Sequence, residues 1–230
     1  MAKITVVGLG PGRAGLITRE SWQLLNSKEQ PVVLRTRIHP TVEALEEAGV
    51  EFTTYDGFYE QAGSFEELYL AIAKDLLTRA EAEGDLVYAV PGSPLVAERT
   101  VVLLRDLAKE STVEVEILPG MSFVEVMYTT LGIDPIEGLT IIDAEDVAKL
   151  TERPQQSLVV SQVYHQQIAS DTKLALMELY GDEYQGLYIH NLALPDESLR
   201  WIPLYELDRQ PDIDHLTTFY VPSKPLAGKS

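Results

Sequence analysis

The stretch Lys3-Ile4-Thr5-Val6-Val7-Gly8-Leu9-Gly10-Pro11-Gly12 indicates the fold class of this chain. Its first part is mostly apolar and β-branched, which is typical of a buried strand. The glycines at alternate positions after it indicate a loop where the backbone turns sharply or lies against a ligand. Open α/β sheets bind ligands at such strand ends. The sequence therefore predicts an α/β domain with a binding loop at residues 8–12, the first loop.

Two more loops of this kind come after predicted strands in the first half of the chain. The strands at residues 85–90 and 113–118 end in Pro91-Gly92-Ser93-Pro94, the second loop, and in Pro119-Gly120-Met121-Ser122, the third loop. Helical patterns separate the strands, and this alternation favours a mostly parallel sheet with helices on both faces. Because parallel strands share one carboxyl edge, we expect all three loops to lie along that edge.

The helices and the second half complete the predicted architecture. Ser64 is expected to cap a helix that ends near Gly84, and a further helix is expected over residues 95–109. Beyond residue 126 strands outnumber helices, which predicts a second α/β domain with some antiparallel pairing. The expected division is an N-terminal domain at 1–125, a C-terminal domain at 126–222 and a loose tail at 223–230.

Composition narrows the classes of partner. The chain has 230 residues, a formal net charge of −18 and no cysteine. This charge argues against a general nucleic-acid or anionic-membrane surface, and the absence of cysteine excludes disulfide and thiolate chemistry. No apolar run approaches the roughly 20 residues of a membrane span, and the N-terminus has no signal-peptide character, so we expect a cytoplasmic protein. The four histidines lack metal-ligand spacing, so we expect no metal site.

A dinucleotide is the first ligand to test against the first loop. Gly10, Gly12 and Gly15 have the G-x-G-x-x-G spacing between a strand and a helix. An NAD site would also place an acidic residue at the end of the second strand, where this chain has Arg35-Thr36-Arg37. The arginines would suit the 2′-phosphate of NADP, but Pro11 removes an N–H from the middle of the phosphate cradle. NADP therefore stays as an alternative ligand.

A family resemblance covers nearly the whole chain. The first loop together with Leu16-Ile17-Thr18, the second loop together with Leu95-Val96-Ala97, and Leu118 with the third loop resemble the three glycine-containing signatures of the tetrapyrrole methylase family. Arg35-Thr36, His39-Pro40 and residues 161–164 are similar to one branch, the N-terminal methylase-like domain of YabN/MazG-type proteins. The resemblance implies two α/β domains with a cofactor cleft between them.

The resemblance also implies an activity and a set of binding residues. The family consists of S-adenosylmethionine-dependent methyltransferases, so the implied cofactor is S-adenosyl-L-methionine or its product, S-adenosyl-L-homocysteine. The implied partners are a small-molecule acceptor, a second copy of the chain in a homodimer, and a fused C-terminal MazG-type nucleotide pyrophosphohydrolase domain that this chain does not include. The implied cofactor-binding residues are Leu9, Gly10, Pro11, Gly92, Ser93, Val96, Ser122, Phe123, Gln162 and Val163.

One departure from the family pattern leaves an alternative open. Most members carry Gly-Asp-Pro in the second loop, and this chain has Ser93 in place of the aspartate. A serine can hydrogen-bond but contributes no charge toward a cofactor. The alternative is a non-catalytic ligand-binding or regulatory module that keeps the methylase fold. The sequence predicts neither the acceptor nor a catalytic residue.

Overall fold

The computed structural model describes residues 1–59 and 62–224. The chain divides into two compact units, Met1–Val126 and Met127–Ser230. Most of the predicted tail, at residues 225–230, lies outside the described residues. The first unit contains β1 (Lys3–Gly8), α1 (Arg19–Leu25), β2 (Val32–Leu34), α2 (Val42–Glu47), β3 (Phe52–Thr54), α3 (Asp56–Tyr59), α4 (Phe65–Glu83), β4 (Leu86–Val90), α5 (Arg99–Ala108), β5 (Glu114–Ile117) and the start of α6 (Phe123–Leu131).

The sheet of the first unit is parallel throughout, in the order β3-β2-β4-β1-β5. The central strands β1 and β4 are buried along almost their whole length, because helices cover both faces of a parallel sheet. Alternate residues of β4 enter two different cores: Tyr88 packs in the cluster that includes α4 and α5, whereas Ala89 packs in the cluster that includes α1 and α2. The prediction of a mostly parallel sheet with helices on both faces is confirmed.

The longest helix of this unit forms for local reasons that the sequence shows. Ser64 caps α4 by accepting a hydrogen bond from the N–H of Glu67 at 3.2 Å, as predicted. Helix α4 buries one apolar face, whose residues recur at the helical period: Leu68, Ile72, Ala73, Leu76 and Ala80. Gly84 ends the helix with a φ of 95°, a conformation that favours glycine.

The prediction of a helix over residues 95–109 is wrong at its start. Helix α5 begins at Arg99, because the second loop continues into a turn in which the Val96 N–H donates to the Ser93 carbonyl at 3.2 Å. Ala97 has a φ of 54°, which is incompatible with a right-handed helix. Glu98 then caps α5 through its side chain. Strand β3 was not predicted from the sequence, and its three residues, none of them buried, lie at the edge of the sheet.

The second unit contains the end of α6, β6 (Leu139–Asp143), β7 (Ser157–Ser161), α7 (Gln166–Tyr180), β8 (Gln185–His190), β9 (Ser198–Pro203) and β10 (Thr217–Val221). Its sheet is mixed, in the order β6-β7-β10-β8-β9. Strands β6 and β7 pair in parallel and the other pairs are antiparallel, which agrees with the prediction of some antiparallel pairing. The core joins the sheet to α7 and to the short helical segments Ala144–Lys149 and Leu204–Arg209.

Candidate functional site

The first and second loops of the first unit join through their backbones. The Gly10 N–H donates to the Gly92 carbonyl at 3.2 Å, and the Gly92 N–H donates to the Gly10 carbonyl at 2.9 Å. Both glycines have a positive φ, of 75° at Gly10 and 66° at Gly92, which side chains rarely allow. The two loops therefore form one short backbone bridge at the carboxyl edge of β1 and β4.

The third loop packs against the second loop and Gly8 beside this bridge, and glycine permits the close approach. A Cβ atom at Gly8 would lie 2.3 Å from the Gly92 carbonyl oxygen. A Cβ atom at Gly120 would lie 2.8 Å from Pro94 Cδ and 3.2 Å from Ser93 Cα. The predicted meeting of the three loops at one edge is thus present within the first unit.

Thr41 braces the first loop from the side of α2. It is fully buried and occupies the position just before this helix, where a threonine normally caps its own helix. Its hydroxyl forms no such cap within the described chain. Instead, the hydroxyl oxygen lies 2.7 Å from the Gly12 carbonyl oxygen and 3.1 Å from that of Leu9. The hydroxyl thereby satisfies backbone carbonyls that the turning loop leaves outside the sheet.

His39 adds a second brace beside Thr41. Its Nδ1 accepts a hydrogen bond from the Thr41 N–H at 3.3 Å, and its ring also hydrogen-bonds to the Gly10 backbone. Burial, helped by the nearby Arg35 charge, lowers the pKa of His39 to about 4, although the hydrogen bond to the Gly10 backbone opposes this shift. At neutral pH the imidazole is therefore uncharged, and it serves as a fixed support of the first loop.

A buried ion pair stands at the same carboxyl edge. Arg35 directly follows β2, and its N–H donates to the Ala89 carbonyl of β4 at 2.9 Å. Its guanidinium Nη1 lies 3.1 Å from Glu98 Oε2, and the two side chains are 19% and 3% exposed. Burial raises the pKa of Glu98, and the Arg35 charge opposes that shift. The pair thus places two opposite, largely buried charges next to the second loop.

The predicted cofactor-binding residues of the first unit fall into two groups. Leu9 is fully buried: its side chain lies in the core, its N–H donates to the Val90 carbonyl at 2.8 Å, and its carbonyl accepts from the Thr41 hydroxyl. The others lie on the bridged loops or directly beside them, with partly exposed side chains or glycine backbone: Gly10, Pro11, Gly92, Ser93, Val96 and Phe123. The structure thus brings residues of the first and second loops together through the Gly10–Gly92 bridge.

Ser122 is already engaged within its own turn. Its hydroxyl and its N–H both donate to the Glu125 carboxylate, at 2.5 and 2.7 Å, and the hydroxyl oxygen accepts from the Val124 N–H at 3.1 Å. These bonds fix the start of α6. Any contact of Ser122 with a ligand would have to compete with them.

Gln162 and Val163 belong to the second unit. They come directly after β7, where Gln162 has a φ of 62° and a partly exposed side chain. The Val163 side chain is fully buried in the core of that unit. Their predicted role toward a cofactor stays a prediction.

The side chains that hold the edge together were not predicted from the sequence. Thr41 and His39 act on a loop that is about thirty residues earlier in the chain, and Arg35 meets a partner beyond the second loop. No periodicity or motif marks such contacts, although His39 and Arg35 lie in segments that carry the family resemblance.

Within the described residues, no group of three or more His, Asp or Glu side chains could hold a metal ion. Likewise, no described helix is long and apolar enough to cross a membrane.

Comparison with known proteins decides the family. The profile of the tetrapyrrole (corrin/porphyrin) methylases matches residues 3–208. The chain belongs to the tetrapyrrole methylase family. This confirms the resemblance that the three loops carry.

Individual relatives agree with this assignment. The uncharacterized protein YabN of Bacillus subtilis (strain 168) is 39% identical over 220 residues, which cover 96% of this chain and 45% of YabN. The chain therefore spans about half the length of this curated relative. The uroporphyrin-III C-methyltransferase of Thermus thermophilus has a similar fold, with a TM-score of 0.72 at 20% identity over 96% of this chain and 92% of that chain. Its complex with S-adenosyl homocysteine gives a TM-score of 0.68 at 21% identity over the same shares.

The close contact between Gly8 and the second loop predicts that one added methyl group at Gly8 strongly lowers the stability of the fold. Gly8→Ala would place its Cβ against the Gly92 carbonyl, so we expect it to lower the free energy of unfolding by about 3 kcal/mol. Gly15→Ala is the matched control, because a Cβ there meets no described atom within 4 Å beyond its chain neighbours. It should change stability by less than about 0.5 kcal/mol. Equal urea-unfolding curves for the two variants would contradict the close approach.

The low pKa of His39 predicts a specific loss of stability in acid. The unfolded chain takes up a proton near pH 6.5 and the folded protein only near pH 4, so acidification favours unfolding within that window. Between pH 7 and pH 5 this amounts to about 2 kcal/mol. His39→Gln should therefore lose less stability than the wild type over this range, as measured by urea unfolding at both pH values. The same loss in both proteins would show that His39 is not held uncharged.

Proposed function

We propose that this chain is an S-adenosylmethionine-dependent methyltransferase domain whose first and second loops hold the cofactor and whose third loop supports them. The observation that carries the proposal is the Gly10–Gly92 bridge, against which Gly8 and Gly120 pack. The bridge lies at the carboxyl edge of a parallel sheet, the place where α/β folds bind ligands. Family membership and the relative solved with S-adenosyl homocysteine support the same ligand.

The residues at this edge fit such a cofactor better than they fit a dinucleotide. No described atom beyond the chain neighbours lies within 4 Å of a Cβ position at Gly92, so a ligand can approach the backbone there. Pro11 offers no N–H to a phosphate, whereas an adenosyl group needs only backbone polar atoms and apolar contacts. The net charge of −18 also suits a cofactor that carries a positive sulfonium better than one that carries phosphates.

The chain's own task in this reaction is positioning. S-adenosylmethionine, when bound, supplies an already activated methyl group, so no nucleophilic triad is required of the protein. Thr41 and His39 fix the first loop, and the bridge fixes the second loop to it. Such rigid placement of donor and acceptor lowers the barrier by removing the entropy of alignment.

A non-catalytic binding module is the second candidate function. Ser93 favours it, because the serine supplies none of the charge that an aspartate would place in the second loop. Its backbone carbonyl is also engaged, since it accepts the Val96 N–H. Cofactor binding without methyl transfer to any acceptor would support this candidate over the first.

The proposal extends to the larger protein. Because the chain spans 45% of its curated relative, we propose that it is followed by a MazG-type nucleotide pyrophosphohydrolase domain, as the branch resemblance implies. We also propose a cytoplasmic homodimer, the commonest assembly of soluble proteins and the expectation from the family. The acceptor would be a small molecule.

Calorimetric titration with S-adenosylhomocysteine tests the proposal. The wild-type chain should bind it, and Thr41→Val should bind at least about tenfold more weakly, since this isosteric change frees the Leu9 and Gly12 carbonyls from their brace. Thr41→Ser keeps the hydroxyl and should bind nearly as the wild type does.

A control distinguishes a local effect of Thr41→Val on ligand binding from unfolding of the variant. Thermal unfolding without ligand shows whether Thr41→Val remains folded at the temperature of the titration. Absence of heat and of any thermal shift with millimolar ligand in the wild type would overturn the proposed function, because a bound ligand must raise stability. Equal affinity of the valine and serine variants would overturn the role of Thr41 alone.

A further inference from the structure

A cavity lies in the segment that leads from the first loop into α1. Its volume is about 330 Å³, which is at the small end of the range of ligand pockets. It is lined by Ala14, Gly15, Ile17, Arg19 and Trp22. None of these residues belongs to the three loops at the sheet edge, so the cavity has a lining of its own.

The start of α1 places an arginine and a tryptophan side by side in this lining. Arg19 and Trp22 are three residues apart on the helix, so their side chains are neighbours on one face. Thr18 fixes this turn, because its hydroxyl oxygen accepts the Ser21 N–H at 3.2 Å and its carbonyl accepts the Trp22 N–H at 3.0 Å. The Trp22 side chain is partly buried and packs against the core cluster that includes Leu25. The cavity therefore has an aromatic wall that the core supports.

The polar groups of this lining have unused donor capacity. Arg19 is exposed and forms no ion pair or hydrogen bond with any described residue, although the chain has a formal net charge of −18. The indole N–H of Trp22 likewise meets no acceptor in the described part of the chain, and it is not among the buried polar atoms there. The described lining thus offers a cation and an accessible N–H donor, and it contains no carboxylate.

The charge and the size of the lining define the class of ligand. A guanidinium pairs with a carboxylate through two parallel hydrogen bonds, and the Trp22 N–H can donate to the same anion. The Trp22 ring and the Ile17 side chain offer apolar surface to one aromatic ring. Glu20 follows Arg19 in the chain but lies about 100° further round the helix, outside the lining, where its charge disfavours a second anionic group.

We propose that this cavity binds a small carboxylate with a single aromatic ring, and that the bound ligand stabilises the first loop. The second part follows from a close contact. A Cβ atom at Gly10 would lie 2.8 Å from the Leu16 carbonyl oxygen and 3.3 Å from the Ile17 nitrogen, so the wall of the cavity packs against the Gly10–Gly92 bridge. A ligand that orders this wall favours cofactor binding, and a bound cofactor favours the ligand equally. Only this second part rests on the proposed function.

Three probes that share one ring and one chain length test the site: 3-phenylpropionate, the neutral 3-phenylpropionamide and the cationic 3-phenylpropylamine. The chain has two tryptophans, so a nitrogen-labelled sample shows two indole N–H signals, which Trp22→Phe assigns. Titration with 3-phenylpropionate should shift the Trp22 signal to saturation and leave that of Trp201, on β9, unchanged. It should bind at least about fivefold more tightly than either analogue, because only the carboxylate forms charge-assisted bonds with Arg19.

Three results of this titration would overturn the carboxylate site. They are a Trp22 response that does not saturate, equal shifts of both tryptophan signals, and analogues that bind as tightly as 3-phenylpropionate does.

A pair of matched variants connects the binding to Arg19. Arg19→Gln removes the charge of an exposed side chain and should weaken 3-phenylpropionate at least about fivefold, to the affinity of the amide. Arg105→Gln removes the same charge from an exposed position of α5 and should leave the affinity unchanged. Unchanged affinity in Arg19→Gln, or equal weakening in both variants, would overturn the site, since the latter result is a general effect of net charge.

Calorimetric titration with S-adenosylhomocysteine tests the link to the first loop. The wild type saturated with 3-phenylpropionate should bind S-adenosylhomocysteine about fivefold more tightly than the free protein, and Arg19→Gln should show no such gain at the same probe concentration. Equal or weaker affinity in the presence of the probe would overturn the link. If the free wild type does not bind S-adenosylhomocysteine, the proposed function and the link both fail, whereas the carboxylate site is decided by the Trp22 signal alone.

Discussion

The close approach of three backbone segments at Gly8, Gly92 and Gly120 governs the architecture of the first unit. Parallel strands bring their carboxyl ends to one edge, but only the absence of Cβ atoms at Gly8 and Gly120 allows the loops to touch there. The Gly10–Gly92 bridge then satisfies polar groups that would otherwise be left unpaired as the chain leaves the sheet. Backbone bonds thus join the first and second loops, and the side chains of Thr41 and His39 brace the first loop.

Several side chains near this edge bind residues far away in the chain instead of their immediate neighbours. Thr41 stands where a threonine would cap α2, and it supports the first loop instead. Burial lowers the pKa of His39 to about 4, so its ring stays neutral at pH values where a free histidine would be charged. Arg35 and Glu98 are kept together at a cost in desolvation. Departures of this kind from local rules are expected where a fold prepares a functional surface.

Features that depend on local periodicity and on turn residues were predictable from the sequence. The buried run of β1, the loops after β4 and β5, and the cap at Ser64 are local signals, and each is present in the structure. The sequence does not reveal strand β3, because its three residues lie at a sheet edge, none of them is buried, and they produce no hydrophobic pattern. The start of α5 was placed too early because apolar residues after Pro94 imitate a helix, although Ala97 adopts a left-handed conformation.

The candidate site was predictable only in its backbone part. Glycine and proline signal loops wherever they occur, so the sequence indicates which segments turn at the sheet edge. The braces at Thr41 and His39, and the pairing of Arg35 with Glu98, join residues far apart in the chain, and one sequence contains no signal for such contacts. They become neighbours only in the fold, where β2, β4 and β1 lie side by side and bring their following segments together.

Amide hydrogen exchange of Gly10 and Gly92, with and without S-adenosylhomocysteine, is the decisive measurement for the bridged loops. Both N–H groups donate across the bridge, so we expect slow exchange in the free protein and slower exchange when the ligand holds the loops together. The Gly181 amide, which ends α7 in the second unit, is the internal reference and should not change. Exchange of Gly10 and Gly92 at the rate of an exposed peptide, or no response of either amide to bound ligand, would contradict the assignment of these loops as the cofactor-binding edge.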